Sequence, residues 1–231
     1  MGFRAKDSLA EQIAQHLADQ ITRGELLEGE RIQELRIAKE LNVSRGSVRE
    51  ALLLLERRHL IEIYARRGAI VTELTVQHVR ALYEVLGLLA GRLLVHTLRQ
   101  VQAADIQALR QQLQNVEIGI VEHDMDRFAD EVFTWVRMSY RYADNVYLEE
   151  MLEDLEPALR RCTLLVLHGV QQSAELLYQG LGQLLELALT RDEARTLQKL
   201  DELLHEQCDQ VIEALLRMKQ VELAWAQRHR R

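Results

Sequence analysis

Proline is almost absent from this sequence, at one in 231 residues, and glycine is sparse at eleven. Proline breaks helices and glycine weakens them, so their scarcity leaves long helices as the dominant architecture. Only two cysteines occur, Cys162 and Cys208, far apart and without a CxxC pair. That excludes a disulfide framework and reads as buried or free thiols in a reducing compartment. No run of eighteen consecutive apolar residues exists, so the sequence predicts no membrane span. The opening stretch MGFRAKDSLAEQ lacks the apolar core of a secretory signal, and a cytoplasmic location is expected. GxSxG, P-loop and dinucleotide fingerprints are missing, which leaves catalysis without positive support. Nor do the eight histidines supply an HxH or HxxxH pair, and His168 and His205 read as solvent-facing or packed residues rather than ligands.

What is present is apolar material and unevenly placed charge. Hydrophobic residues make up 48 %, enough over this length for two modest cores. The net charge of −7 lies entirely beyond residue 74, because residues 1–74 hold 12 basic and 12 acidic side chains. Within 36–67, eight basic residues face only four acidic ones. A phosphate backbone attracts that short segment and repels the acidic remainder, which orients the chain on nucleic acid.

The periodicity divides the chain in two. Residues 8–22 read as a helix: Leu9, Ile13, Leu17 and Ile21 form a stripe, and Ser8 with Glu11 makes a capping box. GELLEGER is a turn between two glycines. A second helix spans 34–41 and leaves on Asn42, and Ser44 caps a third over 45–58 with Val48, Ala51, Leu52 and Leu55 inward. Then the period becomes two. Short strands at 61–64 and 69–72 flank Arg66-Arg67-Gly68, where glycine permits a tight hairpin turn. Three helices and a hairpin are the layout of a winged helix. From 75 onward all is helical, over roughly 75–100, 103–122, 125–143, 146–168, 172–190 and 192–225. Asp124, Asp144 or Asn145, Ser173 and Asp192 stand at helix starts as caps. The expected fold is mainly α: a winged helix-turn-helix over 1–74, then an all-α antiparallel bundle over 75–231.

The segment ELRIAKELNVSRGSVREALLLLERRHLI carries the strongest functional signal. A helix N-terminus offers free N–H groups and the positive end of a dipole. Arg45 and Arg49, four apart, share one face there, and the short Ser44 and Ser47 let that face approach a groove. Arginine bridges guanine O6 and N7 or clamps phosphate. Arg66, Arg67 and Gly68 at the hairpin tip are placed to reach backbone or minor groove. Arg36 on the second helix joins the candidate contacts. Arg57 and Arg58 read equally as contacts or as ordinary surface arginines.

On these residues the chain resembles the GntR family of regulators. GELLEGERI, ELRIAKELNVSRGSVREAL, LERRHLI and the wing RRGAIV follow in the family's order over 8–73. The resemblance implies that the third helix enters the major groove of a short palindromic operator in double-stranded DNA, and that the protein is a homodimer. Glu28 replaces a usual proline and Ser47 a common proline or threonine; Leu35, with Arg36 beside it, stands in place of an arginine, and that change puts the base preference in doubt, though not DNA binding.

The second half resembles the helical ligand-sensing domain called FCD, of the FadR subfamily. ALYEVLGLLAGRLL, RFADEVFTWVRMSY, YADNVYLEEML and LELALTRDEART carry the likeness over most of 75–205. It implies a bundle of six or seven helices with a central cavity. Many relatives hold a divalent metal there with one aspartate and three histidines, and the metal binds a carboxylate effector. Asp130 matches the aspartate, but Thr134, Leu181 and Leu203 stand at the histidine positions, with His205 two residues off register. Leu86 and Leu89 stand where relatives carry charge. The expectation is no metal cofactor. The candidate pocket of Leu86, Asp130, Thr134, Leu181 and Leu203 then suits an apolar or acyl-type effector, or has been filled and senses nothing. Trp135 and Tyr142, read as two turns apart on one helix, line a cavity or belong to the core, and Pro157 bends its helix.

The sequence thus predicts a dimeric, ligand-responsive transcriptional repressor. The alternatives are a constitutive DNA-binding regulator with a non-sensing second domain, and a small-molecule or metal-binding enzyme that kept a vestigial winged helix.

Overall fold

The computed structural model describes residues 8–170 and 172–228, with 222, 223 and 225–228 described by backbone alone. Most of the stretch behind the export reading, residues 1–7, lies outside the described residues, as do the outermost ends of the two expected domains. Two units emerge, one of residues up to Leu74 joined by Asp154–Arg161, the other of Thr75–Glu153 and the chain from Cys162 onward.

In the N-terminal unit, α1 spans Leu9–Thr22 and begins at the expected capping box, with Ser8 Oγ accepting from the Glu11 amide and the Glu11 carboxylate accepting from Ser8. Next come α2 at Glu34–Glu40 and α3 at Arg45–Arg57, joined through Asn42 in the left-handed region (φ 52°), a conformation asparagine tolerates better than most residues. Among the described residues the sheet has three antiparallel strands, not the two expected. Besides β2 (Ile61–Tyr64) and β3 (Gly68–Val71), the short β1 (Arg31–Ile32) pairs with β3, Arg31 opposite Ile70 and Ile32 opposite Ala69. Two residues show no alternation, so β1 was invisible to periodicity; its pairing with β3 comes from the tertiary fold. The core gathers Ala14, Leu17, Val48, Ala51, Leu55 and Leu60, all fully buried.

In the C-terminal unit, α4 (Val76–Gln100) packs along α9 (Glu193–Arg228), and α5 (Ala103–Val121) along α6 (Met125–Arg137). Between them, α8 (Ser173–Leu189) touches α5 and α9. The remaining helix, α7 (Val146–Gly169), carries the single proline, Pro157, within its Asp154–Arg161 stretch, which groups with the N-terminal unit. Asp124, Asn145 and Asp192 cap their helices as expected, and Thr75, expected only as a helix start, caps α4 by accepting from the His78 amide. Ser173 does not: Gln172 holds the cap position at φ 67°, and the Ser173 hydroxyl donates to the Val170 carbonyl. The helix expected over 125–143 stops at Arg137, and a 3-10 turn takes Tyr140–Tyr142. Trp135 and Tyr142 therefore stand on different elements; Trp135 is buried and its Nε1 donates to the Leu109 carbonyl at 3.1 Å, which makes it a core residue. Neither cysteine is in a disulfide, and Cys162 is buried. Burial pushes the neighbouring Tyr83 phenol well above its ordinary range. By length and composition α4 is apolar enough to cross a membrane, a property the search for unbroken apolar runs could not find, because its charged residues interrupt every run.

The α5–α6 hairpin closes on one glycine. A Cβ built on Gly119 lies 2.7 Å from the Phe128 Cα and 2.8 Å from its backbone nitrogen, so the second helix approaches where any side chain would stand. Phe128 is fully buried beside Ala129 and Val116. Gly119→Ala is expected to destabilise the C-terminal unit by about 1–3 kcal/mol through overpacking, exceeding the roughly 1 kcal/mol that alanine gains in helix propensity; chemical denaturation followed by circular dichroism measures it.

Candidate nucleic-acid interface

The start of α3 is set by one hydrogen bond. Ser44 Oγ accepts from the Ser47 amide at 3.0 Å, and the two hydroxyls lie 2.9 Å apart. The cap satisfies one of the free amides of the first turn and leaves the others at the helix entrance, where a phosphate is favoured. Around that entrance Arg45 and Arg49 reach into solvent with 63 % and 65 % of their side chains exposed. Val48, Ala51, Leu52 and Leu55 turn inward, which fixes the outward face.

A residue absent from the sequence reading organises these arginines. Glu34, in the first turn of α2, meets Arg49 with both carboxylate oxygens, at 3.1 Å to Nη2 and 3.5 Å to Nε, and its Oε2 also lies 3.7 Å from Arg45 Nη2. The two-point contact fixes the plane of the Arg49 guanidinium. No local pattern announces it, because the partners are 15 residues apart and meet only through packing of α2 on α3. Arg36 pairs along α2 with Glu40 at 3.3 Å.

At the wing, Arg66 adopts φ 67° and Gly68 φ 81°, the left-handed conformations that reverse the chain between β2 and β3. Arg66 and Arg67 are exposed. Arg31, brought beside the wing by β1, places its Nε 3.5 Å from the position of a Gly68 Cβ. It adds a third cation that the sequence reading missed for the same reason that it missed the strand. Tyr64 hydrogen-bonds Glu62, and that bond, ahead of the carboxylate charge, raises its phenol above the ordinary value. Arg57, left open above, pairs with Asp154.

The pocket residues do not converge. Leu181 and Leu203 are buried in one apolar cluster, and a Leu203 methyl lies 2.5 Å from where a Gly180 Cβ would stand. Leu86 packs against a different cluster, of Leu93, Tyr140, Ala143, Leu148 and Leu152. Asp130 is exposed, and the Thr134 hydroxyl donates to the Asp130 carbonyl at 2.8 Å. His205 is 76 % exposed and bonds Asp201 one turn away. Two leucines and a self-satisfied threonine are not donors, so this set does not fit a divalent ion. Among the described residues no three His, Cys, Asp or Glu side chains gather as a metal would require.

Comparison with known proteins places both halves. Residues 9–71 match the model of the bacterial regulatory proteins of the gntR family, and 79–206 match the FCD domain. The chain is 29 % identical over 167 residues to the gluconate operon transcriptional repressor of Bacillus subtilis, covering 70 % of this chain and 66 % of that repressor. It is 27 % identical over 176 residues to the HTH-type transcriptional regulator YdhC of the same organism, covering 72 % and 75 %. Among solved structures, E. coli McbR/YncC superposes with a TM-score of 0.77 at 18 % identity, covering 89 % of this chain and 98 % of the other. A GntR-type regulator from Rhodococcus sp. RHA1 gives 0.71 at 17 %, with the same coverage. At these identities the structures speak for the fold.

Two outcomes are expected from this geometry. Arg49→Ala weakens binding to a selected duplex by about 1–3 kcal/mol, measured by fluorescence anisotropy. Glu34→Gln releases both arginines to bind phosphate indiscriminately, so affinity for random duplex rises and the ratio of specific to random binding falls by roughly 3–10-fold, with a steeper salt dependence.

Proposed function

The chain belongs to the gntR family of bacterial regulatory proteins and carries an FCD domain; it is a DNA-binding transcriptional regulator, not an enzyme, and we propose that it acts as a ligand-responsive repressor binding a short palindromic operator as a homodimer. The observation that carries the DNA reading is the entrance of α3, where Ser44 caps the helix and Arg45 and Arg49 stand exposed on one face. Two such helices related by a two-fold axis read two half-sites about one helical turn apart. Arg31, Arg66 and Arg67 at the wing supply sequence-independent attraction to the backbone. The protein works in the cytoplasm, where its DNA is.

The effector we propose is apolar or acyl-type and bound without metal, because Thr134, Leu181 and Leu203 stand where the family resemblance implies histidines. Such a ligand shifts DNA affinity only by its preference for one arrangement of the dimer over the other. A specific observation favours a second reading, in which the C-terminal unit senses nothing: Leu203 is already packed tightly onto Gly180 and Leu181.

Selection of bound duplexes from a random library, followed by footprinting, tests the DNA reading; an inverted repeat is expected, and a site without two-fold symmetry contradicts it. Thermal unfolding tests the effector. Acyl carboxylates are expected to raise the melting temperature, with about 2.7 kcal/mol of stabilisation at a hundredfold excess over Kd. Zinc or a chelator is expected to leave it unchanged. Metal-dependent stabilisation by short hydrophilic carboxylates overturns the metal-free reading, and no response to any acyl compound favours the constitutive one.

A further inference from the structure

Helix α4 has two contrasting faces. On one, α9 packs alongside, with Leu204 and Leu197 at ordinary contact distance, 4.0 and 3.7 Å, from the Cβ positions of Gly87 and Gly91. On the other, Ala81, Val85, Leu88 and Arg92 follow at spacings of four, three and four, a single stripe along the helix. Leu88 is 74 % exposed and Val85 45 %. Only 28 % of the helix's most apolar window is buried, although its hydropathy is that of a buried or membrane-crossing helix. A stripe of this kind marks a surface that meets something.

The charges beside the stripe select what it meets. Glu84 lies towards its N-terminal end and Arg92 towards its C-terminal end, both exposed and neither in an ion pair among the described residues. A second α4 laid antiparallel sets Val85 against Leu88 of the other copy, twice by symmetry, and Arg92 against the small Ala81. The space over that alanine leaves the guanidinium within about 4.5 Å along the axis of Glu84 of the other copy, three residues at 1.5 Å each. A parallel pairing would set Glu84 on Glu84 and Arg92 on Arg92, and a bilayer would strand both charges in hydrocarbon. The pattern is self-complementary in one orientation only.

We infer that the exposed stripe of α4 is the seam of a two-fold antiparallel homodimer, with Leu88 and Val85 as its apolar centre and two Glu84–Arg92 pairs fixing its direction. The inference rests on the homodimer reading above and says which surface makes the dimer.

Analytical ultracentrifugation of the full chain tests it, together with circular dichroism. The wild type is expected to sediment as a dimer at micromolar concentration, and Leu88→Glu as a monomer of unchanged helicity, since that side chain is already in solvent. Glu84→Arg is expected to raise the dimer Kd at least about fivefold, because it turns two attractive contacts into like-charge ones, and Glu84→Arg combined with Arg92→Glu to restore it. A dimeric wild type whose dimer survives Leu88→Glu overturns the seam and leaves the homodimer reading standing, and so does a double swap that fails to rescue. A monomeric wild type overturns both. Flotation of the wild type with anionic phospholipid vesicles, lost in Leu88→Glu, replaces the second copy by a membrane and overturns the seam.

Discussion

What the N-terminal unit offers to DNA depends on where α3 begins, and the Ser44 hydroxyl on the Ser47 amide decides that point. Begin the helix one residue later and Arg45 leaves its first turn, so that it no longer stands one turn before Arg49 on the same face. Every other feature of the interface is arranged around this start. The buried row Val48, Ala51, Leu52 and Leu55 locks the rotation, and Asn42 turns the chain into it. Glu34 then restrains what the helix presents, holding the plane of the Arg49 guanidinium before any DNA arrives. An exposed ion pair of this kind adds little stability, about 0–1 kcal/mol. Its consequence lies in discrimination, since an arginine already paired to a carboxylate gives up that partner for a base edge more readily than for an arbitrary phosphate only if the base offers a two-point match.

The C-terminal unit is built on the opposite principle, apolar closeness in place of polar placement. Gly119 admits the Phe128 backbone and Gly180 admits Leu203. Leu181 and Leu203 fill this interior with leucine contacts. Asp130 is left exposed on α6 and His205 exposed on α9. The price is paid in solvent on α4, whose outer stripe keeps Leu88 uncovered within a single chain.

The parts of this arrangement that were legible in the sequence are those written in local chemistry. Ser8, Ser44, Asp124 and Asn145 cap helices because a side-chain oxygen meets an amide two or three residues on, an interaction contained within a few residues. The hairpin tip likewise follows from Arg66-Arg67-Gly68. Illegible were the features made by chain segments that meet only after folding: β1, which is two residues long and exists through its pairing with β3; Glu34, which reaches α3 across 15 residues; and Arg31 beside the wing. The break after Arg137 was hidden by a helical periodicity that runs on into the 3-10 turn at Tyr140, where Tyr140 is buried as it would be in a continuous helix. The apolar character of α4 escaped a search for unbroken runs because single charges punctuate it, and those same charges define its orientation.

Hydrogen exchange of backbone amides, with and without a duplex selected by the full chain, tests the central claim most directly. The account predicts that protection on binding concentrates at residues 44–50 and at the wing around 64–68, with the acidic helices beyond 75 unprotected by direct contact. Protection confined to the C-terminal helices, or none at the entrance of α3, would contradict it.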